Sequence, residues 1–488
     1  MRQPHLGGCG KRLANAFRRG IMFLLRRPET MTQRLPNELI AHIFSFVDPE
    51  DRTTLAALCR SSWALHQIAT PLLYGVVGIP RSDLEPAERY GRLQLLCKTL
   101  LKNPSLARHA REVKHYIDGR IRTLGDPMVP MADNEKARIA HLLRVDMNLP
   151  FGLLEPIVAQ VISSRMSEEA FFMLLMLICP NLHTLHLQGW LHEIDAMPLL
   201  KAAIQYLSQA GSQDTTSNNE FGDGTARSHD AGIYKVRNLV VERREDFEFG
   251  IMLGLGGRLL RLPALRTYSA LGFSLPPSHQ PATSVCCIQE INLDRLCGEI
   301  SDLEVLLRAT PELKTLNIKW SDLMNNYWRP DWRVLCEFLR KYCPGLQHLH
   351  IKHSRHTTQD VTKVPRFASD EAAFPRDRHL PGMGALHDLK HLEKLTLSTI
   401  ALFGTHRGDD FDWEEYEASG MDMTHYLKDQ SARPKRTLES LLPESLRELT
   451  GKKVVSCTNN CILNSRFSAR RIRRSWRRGQ GDTGRAWC

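Results

Sequence analysis

The densest group of metal-ligating side chains in the sequence is HLHIKHSRH, which brings His348, His350, His353 and His356 within one short stretch. Two imidazoles at i and i+2 of a strand face one way and could share a metal, but no cysteine or carboxylate closes the set at short range. They read as exposed strand residues. Cys457 and Cys461 form a lone C-x3-C without a second ligand pair. GDDFDWEEYEASGMD at 408–422 offers Asp409, Asp410 and Asp412 to a hard cation, but lacks EF-hand spacing and reads as a solvated acidic loop. GLGGRLL at 254–260 lacks the G-x-G-x-x-G spacing, and the chain contains no G-x-S-x-G elbow, H-E-x-x-H or Walker sequence. No catalytic residue, metal or cofactor is therefore expected, and the chemistry to look for is binding.

The composition agrees with a soluble protein of several domains: 488 residues, 42% hydrophobic and 24% charged. The longest apolar run, AFFMLLMLIC at 170–179, is half of the roughly twenty residues a bilayer crossing needs, so no membrane partner is expected. Cys59, Cys97, Cys179 and Cys336 sit within apolar patterns, where a thiol acts as a small hydrophobe in a reducing compartment. The net charge of +11 belongs to the ends: residues 1–30 carry +6 and 463–488 carry +7, so everything between sums to −2. Both ends read as disordered basic extensions, and nucleic acid is not the expected partner. The Arg-rich, nearly acid-free first stretch leaves mitochondrial targeting as a lesser alternative to the cytoplasm or nucleus.

Positioning begins with LPNELIAHIFSFVDPEDRTTLAALCRSSW, residues 35–63. Pro36 suits a first helical position and Glu38 favours the positive end of the helix dipole, so a helix is expected to run to about Val47. Asp48 is the expected cap of a second helix after Pro49, and Ser61 or Ser62 of a third that carries Trp63 and Ile68 to a break at Thr70-Pro71. At 100° per residue, Leu39, Ile40, Ile43, Phe44, Phe46 and Val47 cover an arc of about 160°, against the roughly 100° that seats a helix on one core. The excess, toward Ile40 and Phe44, is expected to dock a partner.

Leu35-Pro36, Glu38-Leu39, Ile43-Phe44, Val47, Leu55, Leu58, Cys59-Arg60 and Trp63 resemble the F-box. Thr54 departs from the acid or polar residue usual at its position. The resemblance implies that Leu35, Pro36, Glu38, Leu39, Ile40, Ile43, Phe44, Val47, Leu55, Leu58 and Trp63 dock the Skp adaptor. Through it the chain would join a cullin and a RING subunit, as the non-catalytic subunit of a ubiquitin ligase.

From residue 180 a pattern L-x-x-L-x-L recurs, starting at Leu182, Val236, Leu265, Ile288, Leu313, Leu346, Leu392 and, incompletely, Leu446. The shorter intervals match leucine-rich repeats, in which each unit lays one strand beside the last and returns by a helix such as SDLEVLLRAT or WRVLCEFLRKYC. The consensus Asn or Cys after the strand is mostly missing, so these are degenerate repeats. The arrangement is similar to that of many fungal F-box proteins, which implies that 95–116 forms the helix and first strand after the F-box. The fold expected is thus α/β: a basic extension (1–30), an F-box (31–75), a helical linker with a first repeat-like region (76–179), an irregular repeat solenoid (180–455) and a disordered tail (456–488).

Strand alternation sends the marked leucines inward and the residues between them outward. The outward set forms the expected target-binding face: His186, Gln188, Glu242, Glu290, Asn292, Asp294, Asn317, Lys319, His348, His350, Lys352 and Lys394. Charge along it grades from acidic (Glu242, Glu290, Asp294) to basic (Lys319, Lys352, Lys394), which would orient a polar protein. The function expected is target recognition for a Skp-cullin-F-box ubiquitin ligase. The alternatives are a repeat scaffold outside any ligase and a nucleic-acid-associated protein using the Arg-rich tail.

Overall fold

Short helices need caps, and here Asp and Ser side chains supply them. The first helix, α1 (Asn37–Phe44), stops three residues sooner than its apolar pattern suggests. Phe46 N–H and Val47 N–H turn back to Ile43 and Phe44 carbonyls at 3.2 and 2.9 Å, the tighter i→i+3 spacing that ends a helix. Helix α2 (Arg52–Ser61) is capped by Asp51 rather than Asp48. Its carboxylate accepts from Thr54 N–H (3.1 Å) and Thr54 Oγ1 (2.7 Å), which explains the threonine at that position. Ser62 caps α3 (Trp63–Leu73), accepting from Leu65 N–H at 3.2 Å. That helix continues through Pro71: the missing N–H costs one internal bond, but only a short last turn lies beyond it.

In this computed structural model the described residues are 36–44, 46–48, 51–78, 86–117, 132–141, 143–144, 151–162, 168–189, 199–200, 202–203, 205, 232–243, 259–271, 286–296, 300, 303–321, 331–354, 386–398, 442–452 and 464–468. The chain divides into two units: one takes residues up to Tyr116, then Thr123–Leu185 and Gly222–Lys235, and the other takes the rest. Residues 206–231 and 355–385 lie outside the described residues, as does the acidic stretch 408–422.

In the first unit, α3 leads into β1 (Val76–Gly78), which pairs in parallel with β2 (Glu112–Ile117). The strand expected first, within 95–116, is therefore second. Gly78 closes β1 with φ +135°, and a Cβ there would lie 2.0 Å from the Lys114 carbonyl oxygen. Between the strands run α4 (Pro86–Lys102) and α5 (Pro104–Ala107), and after them α6 (Asp133–His141), α7 (Phe151–Ile162) and α8 (Glu168–Ile178). The apolar run at 170–179 supplies most of this last helix, and all ten of its residues are buried. Among the described residues no helix is long and apolar enough to cross a membrane.

Strand β3 (Thr184–Gly189) holds the division between the units, and the second continues with β4 (Asn238–Arg243), β5 (Thr267–Leu271) and β6 (Glu290–Leu296). Then come α9 (Leu303–Ala309), β7 (Thr315–Ser321), α10 (Trp332–Tyr342), β8 (His348–Ser354), β9 (Lys394–Ser398), β10 (Glu448–Lys452) and β11 (Asn464–Ser468). From β4 on, sheet neighbours follow chain order. They pair in parallel until β11, which runs antiparallel to β10. Residues 464–468, expected within a disordered tail, are thus a strand, because the last edge of β10 offers unpaired peptide groups to whatever chain follows.

The elements recur for a local reason. Before β5, β7 and β8, the sequences Leu262-Pro-Ala-Leu265, Thr310-Pro-Glu-Leu313 and Cys343-Pro-Gly-Leu346 turn with an i+3 N–H to i carbonyl bond of 3.1 Å. Proline at the second position has its φ set for such a turn and no N–H to lose. The closing leucine is inside the core each time, 1% exposed or less.

The 3-10 turn Gly232–Lys235 lies against the end of α8, and a Cβ at Gly232 would sit 2.0 Å from the Cys179 carbonyl oxygen and 2.9 Å from that of Met176. Backbone on two sides cannot yield, so Gly232→Ala should lower stability by about 2 kcal/mol, read as a fall in the urea midpoint at unchanged m-value.

Candidate functional site

Two surfaces hold the residues singled out in the sequence. On α1–α3, Ile40 and Phe44 are 5% and 4% exposed and join Leu55, Leu58, Leu65 and Ala69 in one core. Ile43, Val47, Ile68 and Leu72 pack on its margin. The excess arc of α1 therefore lies on the opposite flank from the one expected. Helices α2 and α3 cover the Ile40/Phe44 side, whereas Leu39 is 49% and Phe46 66% exposed, and Trp63 at the start of α3 is 75% exposed. The Phe46 ring meets His42 edge-on at 5.1 Å. Pro36 and Glu38 are also exposed, and Leu35 lies outside the described residues. Of the residues assigned to docking, Ile40, Phe44, Leu55 and Leu58 thus lie in the core, while Pro36, Glu38, Leu39 and Trp63 are exposed.

Phe46 lies on the arc beside Leu39 and outside the residues that the F-box resemblance assigns to docking. Its angle beside Leu39 was the available signal.

The second surface is one face of the strands, where parallel register lines up the outward positions in rows. Thr267, Glu290, Thr315, His348 and Lys394 share one row; Ser269, Asn292, Asn317, His350 and Thr396 the next; Glu242, Leu271, Asp294, Lys319 and Lys352 a third. The intervening Tyr268, Ile291, Leu316, Ile318, Leu349 and Leu395 are buried. The middle row is linked by its own amides: Asn317 Nδ2 donates to Asn292 Oδ1 (2.5 Å), and Asn292 Nδ2 donates to Ser269 Oγ (3.2 Å) and Glu290 Oε1 (3.0 Å).

The charges are less evenly available than the sequence implies. Glu242 Oε2 accepts from Gln188 Nε2 at 2.7 Å and lies 3.2 Å from Nε2 of His186, itself only 8% exposed. Asp294 is paired with Lys319 on the next strand. The three carboxylates of β4–β6 thus each have an internal donor, whereas the outward positions of β7–β9 carry no carboxylate. His348 Nδ1 is 3.4 Å from Thr315 Oγ1. Among the described residues no three metal-ligating side chains come together.

Among the described residues the cysteines are not joined in disulfides. Burial raises Cys97, Cys286 and Cys336, and pushes Cys179 and Cys343 up to about 12 from an ordinary 9.0. Such groups hold their protons at neutral pH and are poor nucleophiles. Because the folded value is raised, their contribution to stability is intact below pH 9 and lost as pH rises toward about 12. The urea midpoint should fall across that window. At pH 8, exposed Cys287 should take up a thiol reagent before the five buried thiols just named do.

Residues 32–74 match the F-box-like family model, so the chain carries an F-box-like domain made by α1–α3. A comparison with the curated proteins returns no match.

The two classes of residue in that domain separate cleanly by substitution. Leu55→Ala should cost about 3 kcal/mol through a cavity, whereas Leu39→Asp should leave stability within about 0.5 kcal/mol, both read by urea denaturation.

Proposed function

We propose that this protein is the target-receptor subunit of a Skp-cullin-F-box ubiquitin ligase, and that it contributes no catalytic residue. The observation that carries the reading is the exposed apolar trio Leu39, Phe46 and Trp63 on a domain matched as F-box-like. Large apolar side chains held open on a well-filled three-helix core are the form a partner-gripping helix face takes. The Skp adaptor is the partner this domain type implies, with cullin and RING subunits beyond it.

The parallel strands, of which β5, β7 and β8 are entered through a tight turn and β7 and β8 follow helices α9 and α10, are read as degenerate leucine-rich repeats. Their outward rows, His186 to Lys394, are the proposed target surface. The mechanism is proximity: one module grips the ligase and the other the target, so that a target lysine is held near charged ubiquitin at high effective concentration.

Capture of Skp adaptor and cullin by the intact chain tests this directly. Leu39→Asp with Trp63→Ala should lose at least tenfold in adaptor capture while the urea midpoint is unchanged. Failure of the intact chain to capture the adaptor overturns the ligase reading, and capture of adaptor without cullin points to a scaffold.

A further inference from the structure

We propose that the rim of the sheet at which β4–β7 begin takes an acidic run of a target polypeptide, held by Arg237, Arg266 and Lys314. The inference rests on the reading of the strands as the target-binding module and names the place and chemistry of the grip.

The rim is a continuous row, one residue ahead of each strand. Arg266 N–H donates to the Arg237 carbonyl, Gln289 to Arg266, Lys314 to Gln289 and Gln347 to Lys314, each at 2.8 Å. These residues therefore stand one strand spacing apart, and Arg237, Arg266 and Lys314 are exposed.

Three observations carry the inference. First, the charge of this row is uncompensated. Among the described residues none of the three cations forms an ion pair, whereas further along the same row Glu393 and Arg447 neutralise each other at 3.5 Å. Glu290, next to Gln289, accepts from Asn292 instead, and Glu312 in the turn before β7 pairs with neither arginine nor lysine. Like charges side by side on adjoining strands are unfavourable, and a carboxylate set between Arg237 and Arg266 relieves this.

Second, Arg266 is held in place without being neutralised. Its Nη1 donates to the Cys287 carbonyl at 2.9 Å, which fixes the guanidinium and leaves its remaining donors to a carboxylate. Third, the side chains of Gln289 and Gln347, on either side of Lys314, form no hydrogen bond among the described residues. On the outward rows of the strands, by contrast, Glu242, Glu290, Asp294, Lys319 and Lys352 are all engaged within the chain.

The spacing suits an extended peptide lying across the strand entrances. At about 4.8 Å per strand, Arg237 to Lys314 spans roughly 14 Å, which a peptide at about 3.3 Å per residue covers with five residues. A nucleic acid fits worse. The glutamine amides both donate and accept, as a peptide group does, while a phosphodiester only accepts, and the row has no aromatic ring on which a base could stack.

The test is chemical footprinting of the full chain, with phenylglyoxal for arginines and an acetylating reagent for lysines, mapped by mass spectrometry. The probe is a synthetic peptide of five glutamates flanked by Ser and Gly, and the control has five glutamines. The Arg-rich ends 1–30 and 463–488 will also draw the peptide, so positions are compared within the strand region. With the glutamate peptide in excess, modification of Arg237, Arg266 and Lys314 should slow at least fivefold, while exposed Arg333 and Lys390 are unchanged. Arg237→Gln with Arg266→Gln should remove the protection of Lys314 at an unchanged urea midpoint. Protection of Lys319 and Lys394 instead would keep the strands as the target module and overturn the rim site, while equal protection of all exposed lysines and arginines, or of none outside the ends, would overturn both. Protection of the rim by oligo-deoxythymidylate but not by the peptide would overturn the polypeptide partner and assign the row to nucleic acid. Adaptor capture on the same sample shows separately whether the F-box reading stands.

Discussion

One hydrogen-bonding arrangement sets the strand geometry. At the start of most parallel strands, a single carbonyl accepts from two successive N–H groups of the strand beside it. Gly75 accepts from Arg111 and Glu112, Arg237 from Arg266 and Thr267, and Gln289 from Lys314 and Thr315. Lys314, Gln347 and Glu393 do the same for the strands that follow them. From β4 on, the acceptor is the residue just after the first buried position of the pattern, such as Val236, Ile288 or Leu313. Because a slip of one residue would turn every buried leucine outward, this shared carbonyl and the leucine before it hold the same register.

The face depends on that lock. Rows of outward side chains exist only where the register repeats without drift, and only then can Asn317 reach Asn292 and Asn292 reach Ser269. The three-helix domain works by a different constraint. There Asp51 and Ser62 fix where helices begin, and the core of Ile40, Phe44, Leu55 and Leu58 turns Leu39, Phe46 and Trp63 outward. In both places the buried residues decide which exposed ones can act.

Much of this was legible in the sequence. Inward and outward positions of the strands followed from period-two alternation, which side-chain direction enforces locally. The three helices followed from Pro36, the acidic turn and the Ser61-Ser62 pair, although Asp51 takes the cap expected of Asp48 because its carboxylate can reach both Thr54 groups. Which flank of α1 stays exposed was not legible, since an apolar arc shows its width but not the direction from which neighbouring helices cover it. Nor were the internal partners of Glu242 and Asp294, which come from other strands and depend on register. Strands β1 and β11 were missed because VVG and NSRFS are too short to show a period.

The central claim is that α1 and the start of α3 meet the adaptor while the strand rows stay open for a target. Hydrogen exchange of the intact chain with and without purified Skp adaptor reads this in one measurement. The account predicts added protection confined to residues 36–48 and 62–66, with 315–321, 348–354 and 394–398 unchanged. Protection of those strands with none at 36–48 would contradict it.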